Sequence, residues 1–508
     1  MRLARAAGAV ALGVVCSGHI GSPDAWYEGS AGPYHVVVQV ATPGVVPGVA
    51  KVYTRVTGDG VRQVTVQANR FDALASAPPP ETAKPVEGDP GLYLAPLWIM
   101  SGGSNSVTVN VAGTLGSGSA VIPVVVVADR RLDMNPLLGV GLSAVGMFLF
   151  IGLVTIIGAA VREGVLPPGA VPDDGRRRKA RFAMAGGAAV LALALFGGSR
   201  WWQSEDTRFA RNMYKPLKAT AAIASDGHAT ALRLVITDSI WMMRNDTAWL
   251  RHHNASRWTP LIPDHGKIMH AFMVREPDML AFAHLHPITY DSVTFTSNLP
   301  PLPAGRYRVY GDIVHESGFT QTLSSVVELP EGTSGAARLT DSDDATFAAG
   351  GPPAGDKAVL ADGSIMTFQR NRARFVEGAG TSLRFALTSG DGRPLALEHY
   401  IGMSGHAVVS RDDGSVFVHL HPSGTFSMAS QMAFTMREPG DSIAGKLGRR
   451  MNEMDSAHVA LPPIPADGVI SFPYAFPKPG RYYVWVQVKH AGRVLTGVFP
   501  AEVEAREQ

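Results

Sequence analysis

HAVVSRDDGSVFVHLHP, residues 406–422, reads as two short β-strands joined by a turn. Val and Phe populate the flanks, while Arg411-Asp412-Asp413-Gly414 supplies the turn chemistry: aspartate accepts from nearby backbone and glycine tolerates positive φ. Pairing Ser410 with Ser415 puts His406 directly opposite His419. His419 and His421 are two residues apart, so they project from one face of their strand together with Phe417. A chain that folds this way is a sheet protein that lines up imidazoles.

The pattern occurs twice. Residues 270–315 carry His270, then His284-Leu285-His286-Pro287, then Gly305-Arg306-Tyr307 with His315 ten residues after that glycine. The second copy matches with His406, His419-Leu420-His421-Pro422, Gly480-Arg481-Tyr482 and, again ten residues on, His490. From His270 to His284 the first copy is one residue longer than the second, which requires an odd loop around Pro277 or a bulge. Along the last strand Tyr307, Val309, Ile313 and His315 are in phase, as are Tyr482, Val484, Val486, Val488 and His490, so both histidines end apolar rows.

These phases predict two clusters, each at one edge of its own sandwich core: His270, His284, His286 and His315 in one, and His406, His419, His421 and His490 in the other. Four imidazoles in one place cannot all be charged without mutual repulsion. They are either neutral and hydrogen-bonded, for example to backbone carbonyls, or coordinated to a cation. The neutral imidazole is also the form that binds a transition metal.

Composition narrows the chemistry. At 508 residues the chain has room for about three domains, at ~150 residues each. A net charge of +2 and the lack of a large basic block argue against nucleic acid as a partner. The single cysteine, Cys16, excludes a disulfide framework and a thiolate metal site, so a metal must be held by His, Met, Asp or Glu. Asp264-His265 and Glu398-His399 precede the first histidine of each copy and could add a ligand, a supporting carboxylate or a solvated turn. An insertion of about forty residues in the second copy holds Met428, Met432, Met436, Met451, Met454 and His458. Thioethers favour Cu(I), but methionines more often pack a core. His252-His253 reads as a surface turn.

The chain also reads as exported and membrane-bound. Residues 1–21 have the basic start, apolar middle and small-residue end of a signal peptide, with lipidation of Cys16 the rival reading. Residues 136–161 are apolar for long enough to cross a bilayer, and residues 182–198 reach the lower limit, with Trp201-Trp202 suited to the interface. Arg176-Arg177-Arg178-Lys179 would keep the connecting loop, residues 162–181, in the cytoplasm. Residues 22–133, 203–331 and 357–508 then form three extracytoplasmic β-sandwiches of immunoglobulin-like type, with a Gly, Ser, Ala and Pro-rich linker at 332–356.

Asp264-His265-Gly266-Lys267-Ile268-Met269-His270, Ala283-His284-Leu285-His286-Pro287 and Leu302-Pro303-Ala304-Gly305-Arg306-Tyr307 resemble a group of exported bacterial membrane proteins with HLHP hairpins. Pro90-Gly91-Leu92-Tyr93, Trp98-Ile99-Met100 and Ser106-Val107-Thr108-Val109 resemble YtkA-like or FixH-like immunoglobulin-type domains. That resemblance implies copper handling and a membrane or periplasmic protein partner. The chain departs from CopC-type copper proteins, because the mature end expected near Ser22 does not begin with histidine. The expectation is therefore a membrane-anchored protein that binds copper, or zinc as the nearest alternative, for storage, transfer or delivery. No Ser-His-Asp order, HExxH helix, P-loop or Rossmann fingerprint points to catalysis. A metal-free scaffold and a metal-dependent oxidoreductase are the competing classes.

Overall fold

The computed structural model describes residues 19–20, 24–72, 77–167, 169–225, 230–243, 257–333, 335, 338–371, 374–438, 441, 445–454 and 461–507. Most of the expected signal peptide, His252-His253 and His458 lie outside them. The chain forms two compact units, residues 128–215 and everything else.

The smaller unit is a helical pair. Asn135 caps the helix Pro136–Glu163 by accepting from the Leu137 backbone, with proline in the first turn where no N–H is needed. The second helix, Asp174–Asn212, starts under an Asp173 cap and takes Arg176–Lys179 into its first turns. The expected basic loop therefore shrinks to residues 164–173, because Arg, Lys and Ala are strong helix formers and continue the helix once it is capped. Both helices are long and apolar enough to cross a membrane. They approach closely at glycines: a Cβ on Gly158 would meet Met184 Sδ at 2.5 Å, and one on Gly187 would meet Ile157 Cδ1 at 2.8 Å.

The larger unit is mostly β. Among the described residues, six sheets enclose three buried clusters, each lying between two sheets. Val36, Val38 and Val52 meet Val64, Val107 and Ile122 in the first cluster. In the second, Leu232, Leu234 and Phe295 oppose Ala271, Met273, Tyr307 and Val309. In the third, Phe368, Leu383 and Phe472 oppose Val409, Val418, Tyr482 and Val484. His19–Ile20 pairs in parallel with Val416 and Phe417 at the edge of the larger of the two sheets around the third cluster.

Both histidine copies form the same four-strand unit. In the first, Ala281–Leu285, His270–Glu276, Gly305–His315 and Thr320–Leu329 lie side by side; in the second, Val416–Leu420, His406–Arg411, Gly480–His490 and Arg493–Glu504 do. The registers correct the expected pairing. Ala407 faces Leu420 and Ser410 faces Phe417, so His406 falls opposite His421 rather than His419. In the first copy Ala271 faces Leu285, which puts His270 opposite His286. A shift of two residues preserves which side chains share a face. The first copy's extra residue is absorbed in the turn, residues 275–281, where Met279 takes φ 59°.

The two repeats pack their outer sheet faces against each other. Phe272, Val274, Phe282 and Tyr310 meet Val408, Phe417, Tyr483, Trp485 and Val498 in a separate buried cluster. The pairs cross: Tyr310 stacks on Phe417 at 3.8 Å between centroids, and Trp485, at the position equivalent to Tyr310, stacks on Phe282 at 5.2 Å. The repeats are thus related by an approximate two-fold exchange, with an aromatic wall continuing the rows that carry the histidines.

Candidate metal centre

Those rows end in one site, not two. His270, His284 and His286 from the first repeat and His406, His419 and His421 from the second gather between the domains, joined by His265. The His270 and His419 rings are 5.3 Å apart, and His284 and His406 are 6.2 Å apart. His270, His284, His286, His406 and His421 are each at most 3% exposed.

His315 and His490 do not join them, which corrects the two-cluster expectation. His270 pairs with Asp312 and His406 with Gln487, so it is Asp312 and Gln487 that share the histidine face. His315 and His490 differ from them by an odd number of residues and project toward the opposite face. The buried His315 donates from Nδ1 to the Thr259 carbonyl at 2.9 Å, and the Gln321 amide lies 2.8 Å from its Nε2. His490 lies 2.6 Å through Nδ1 from the Ala396 carbonyl. These two fit the hydrogen-bonded alternative.

The ring nitrogens in the centre have a common orientation. His286 Nδ1–H donates to Asp344 Oδ1 at 2.9 Å, the oxygen that also accepts its own backbone N–H at 2.7 Å. His421 Nδ1–H donates to the Phe426 carbonyl at 2.7 Å. His284 Nδ1–H donates to Gln487 Oε1 at 2.8 Å, with the Gln487 amide nitrogen held on Thr496 at 3.2 Å. His419 Nδ1 lies 3.4 Å from Asp312 Oδ2. Outer acceptors of this kind fix the tautomer of a metal-ligating histidine and leave Nε2 as a lone pair. Nε2 of His286, His419 and His421, and both nitrogens of His406, are buried without a hydrogen-bond partner.

Support crosses between the repeats as the aromatic stacks do. Asp312 of the first reaches His419 of the second, and Gln487 of the second reaches His284 of the first. The segment expected to be a loose linker takes part as well. Ala345–Ala348 pairs as a strand against Ala281–His284, and Asp344 precedes it. Lys267 of the first repeat lies 2.6 Å from Asp341, and Lys489 of the second lies 3.0 Å from Asp343. Glycine and small polar residues hid this strand, because its order comes from the sheet edge it covers.

His270 exposes the site's electrostatic tension. Its Nδ1 is 3.1 Å from His284 Nε2 and its Nε2 is 3.3 Å from the Asp264 carbonyl. Because His284 carries its proton on Nδ1, either neutral tautomer of His270 leaves one lone pair against another. Protonation does not relieve this: burial first, then the His286 and His284 imidazoles, hold His270 well below its ordinary pKa. Burial likewise depresses His284, His406 and His419 strongly, and takes His421 down to about 4. Burial also raises Asp312 to about 7. At neutral pH these imidazoles are uncharged, which is the ligand form.

His265 belongs to the centre and Glu398-His399 does not. The hydrogen-bonded loop of Asp264 and Lys267 matches that of Tyr400 and Met403, so the counterpart of His265 is Ile401, not His399. Both hold positive φ, 52° and 49°, before Gly266 and Gly402. His399 instead donates from Nε2 to the Pro462 carbonyl at 2.8 Å. Three of the insertion methionines pack a core: Met451 is buried beside Ile262, Val314 and Leu447, with Met432 and Met436 packed against them.

Residues 358–444 match a family described as a domain of unknown function (DUF8832). No curated protein matches the chain. Among solved structures, dimeric latent PorU from Porphyromonas gingivalis is similar over 96% of this chain at 9% identity and a TM-score of 0.13. The chain spans about a third of PorU's length, 34%. A putative membrane anchored protein from Corynebacterium diphtheriae is similar at 8% identity over 94% of each chain, with a TM-score of 0.13. InvD from Yersinia pseudotuberculosis is similar at 11% identity over 90% of this chain and 94% of its own, with a TM-score of 0.14. At such scores the likeness bears on neither fold nor function.

Proposed function

We propose that this protein binds a transition metal, copper foremost, at the histidine centre between its two repeats, and that it does so as a membrane-anchored protein for storage, transfer or delivery. The observation that carries this reading is the set of buried Nε2 lone pairs on His286, His419 and His421, each with Nδ1 turned outward to an oxygen acceptor. A buried polar atom left without a partner is costly, and several together are stabilised by a cation. Tetrahedral ions with ~2.0–2.1 Å bonds to imidazole hold neighbouring nitrogens about 3.3 Å apart. His270 Nδ1 and His284 Nε2 stand at 3.1 Å. An all-imidazole set suits Cu and Zn, and Cu(II) leads the affinity order.

The three two-sheet units are read as immunoglobulin-like domains, held outside the cytoplasm by the two apolar helices and the basic run at residues 176–179. Titrating the detergent-purified full chain with Cu(I), Cu(II) and Zn(II) tests the binding. His284→Ala/His286→Ala and His419→Ala/His421→Ala are each expected to weaken it. Wild-type affinity no tighter than micromolar, with both double variants unchanged, refutes the reading.

A further inference from the structure

The ligand nitrogens fall into two sets. His270, His284 and His286 place theirs within 4.8 Å of one another, and so do His265, His406 and His421. We infer that the centre holds two transition-metal ions, one in each three-imidazole set, with His419 between them. This rests on the metal-binding reading above and adds the number of ions and the source of each ligand.

Three features support two ions over one. Each set is complete as a three-nitrogen face, the number that a catalytic or transfer-type zinc or copper site uses while leaving a position open. The first set has its nitrogens set by outer partners: Gln487 for His284 and Asp344 for His286. The second has its own, because the Phe426 carbonyl fixes His421, and both nitrogens of His406 remain buried without a partner. An ion confined to the first set would leave His406 and His421 unsatisfied. The His419 ring is 5.3 Å from both His270 and His406, and its Nε2 is buried without a partner.

The two sets differ in origin. The first comes wholly from one repeat, whereas the second joins His406 and His421 to His265 of the other. Its ring lies 5.8 Å from His406 and 5.6 Å from His421. His265 departs from the two-fold exchange, since Ile401 occupies the matching backbone position and has no ligand atom. The second set therefore exists only when the repeats are docked, and His265 is the side chain that completes it.

Metal content per chain tests this. The full chain in detergent is loaded with excess Cu(II) or, separately, Zn(II), freed of unbound ion by gel filtration and measured by mass spectrometry. Wild type is expected to hold two ions. His265→Ile, which copies the side chain that the second repeat already carries on this backbone, is expected to hold one, and His421→Ala likewise. His286→Ala also retains one, and His265→Ile/His286→Ala retains none, with circular dichroism spectra matching wild type. One ion in the wild type, or two in His265→Ile or His421→Ala, overturns the two-ion assignment. No ion in the wild type overturns the metal-binding reading itself.

Discussion

Metal-free protein should be acid-labile in a defined window. His270, His284, His406, His419 and His421 all have folded-state pKa values held below the ordinary 6.5 by burial. Above that value folded and unfolded states bind the same number of protons at these residues. Below it the unfolded chain takes up protons that the native centre refuses, so stability falls with pH until the folded pKa is reached, about 4 for His421. For His421 this amounts to about 1.4 kcal/mol per pH unit, hence about 2 kcal/mol between pH 6.5 and 5, and the other four histidines, held down by the same burial, add to the loss in the same direction. Asp312 opposes this. Its folded pKa is raised to about 7, so the native state binds a proton that the unfolded state does not, which offsets about 2 kcal/mol over the same interval. What the other four histidines lose beyond that offset is drawn from a domain stability of only about 5–15 kcal/mol. Urea unfolding of the full chain at pH 7.5, 6.5, 5.5 and 5.0, followed by tryptophan fluorescence, measures it; Trp485 is buried between the repeats. The midpoint is expected to hold above pH 6.5 and to fall steeply below, with bound Zn(II) delaying the fall. A flat midpoint from pH 7.5 to 5.0 in metal-free protein refutes the neutral, buried centre.

Three substitutions separate the roles described above. Asp344→Asn removes the carboxylate from His286 and is expected to weaken metal affinity about 10–100-fold in isothermal titration, with the fold retained. His315→Ala should lower stability by about 1–3 kcal/mol in chemical denaturation through lost buried hydrogen bonds, yet leave metal stoichiometry unchanged. Trp485→Ala should cost about 3–5 kcal/mol and weaken binding at both histidine sets, because the stack on Phe282 aligns the two sheets. Tight binding retained in Trp485→Ala would separate the centre from the aromatic wall.

Much of the local structure was legible because it depends on short-range chemistry. Arg411-Asp412-Asp413-Gly414 specifies a turn, alternation places Phe417, His419 and His421 on one face, and two apolar runs specify long helices. Register was harder to read. Pairing Ser410 with Phe417 rather than Ser415 moves His406 two residues along, which the hairpin sequence alone does not decide. Spacing groups His315 and His490 with the site, although strand parity relative to Asp312 and Gln487 separates them. A signal for those two partners was present: each lies seven residues after the glycine of Gly-Arg-Tyr, three before the terminal histidine. Asp344 carried no such signal, since its segment is ordered only by the strand it pairs beside.

Short-range chemistry along the chain specifies the repeat, the hairpins, the histidine faces and the thiolate-free character of any ligand set. That the two faces meet follows from how the domains pack. Each repeat has an outer sheet face with large apolar residues, Phe272 and Phe282 in one and Phe417 and Trp485 in the other, and burying those faces against each other brings the histidine rows together. Linear spacing encodes which side of a strand a residue occupies, but which other surface covers that side is a property of domain packing. That is why two expected clusters became one centre, and why His265, which its loop sequence leaves between ligand and solvated turn, stands within it.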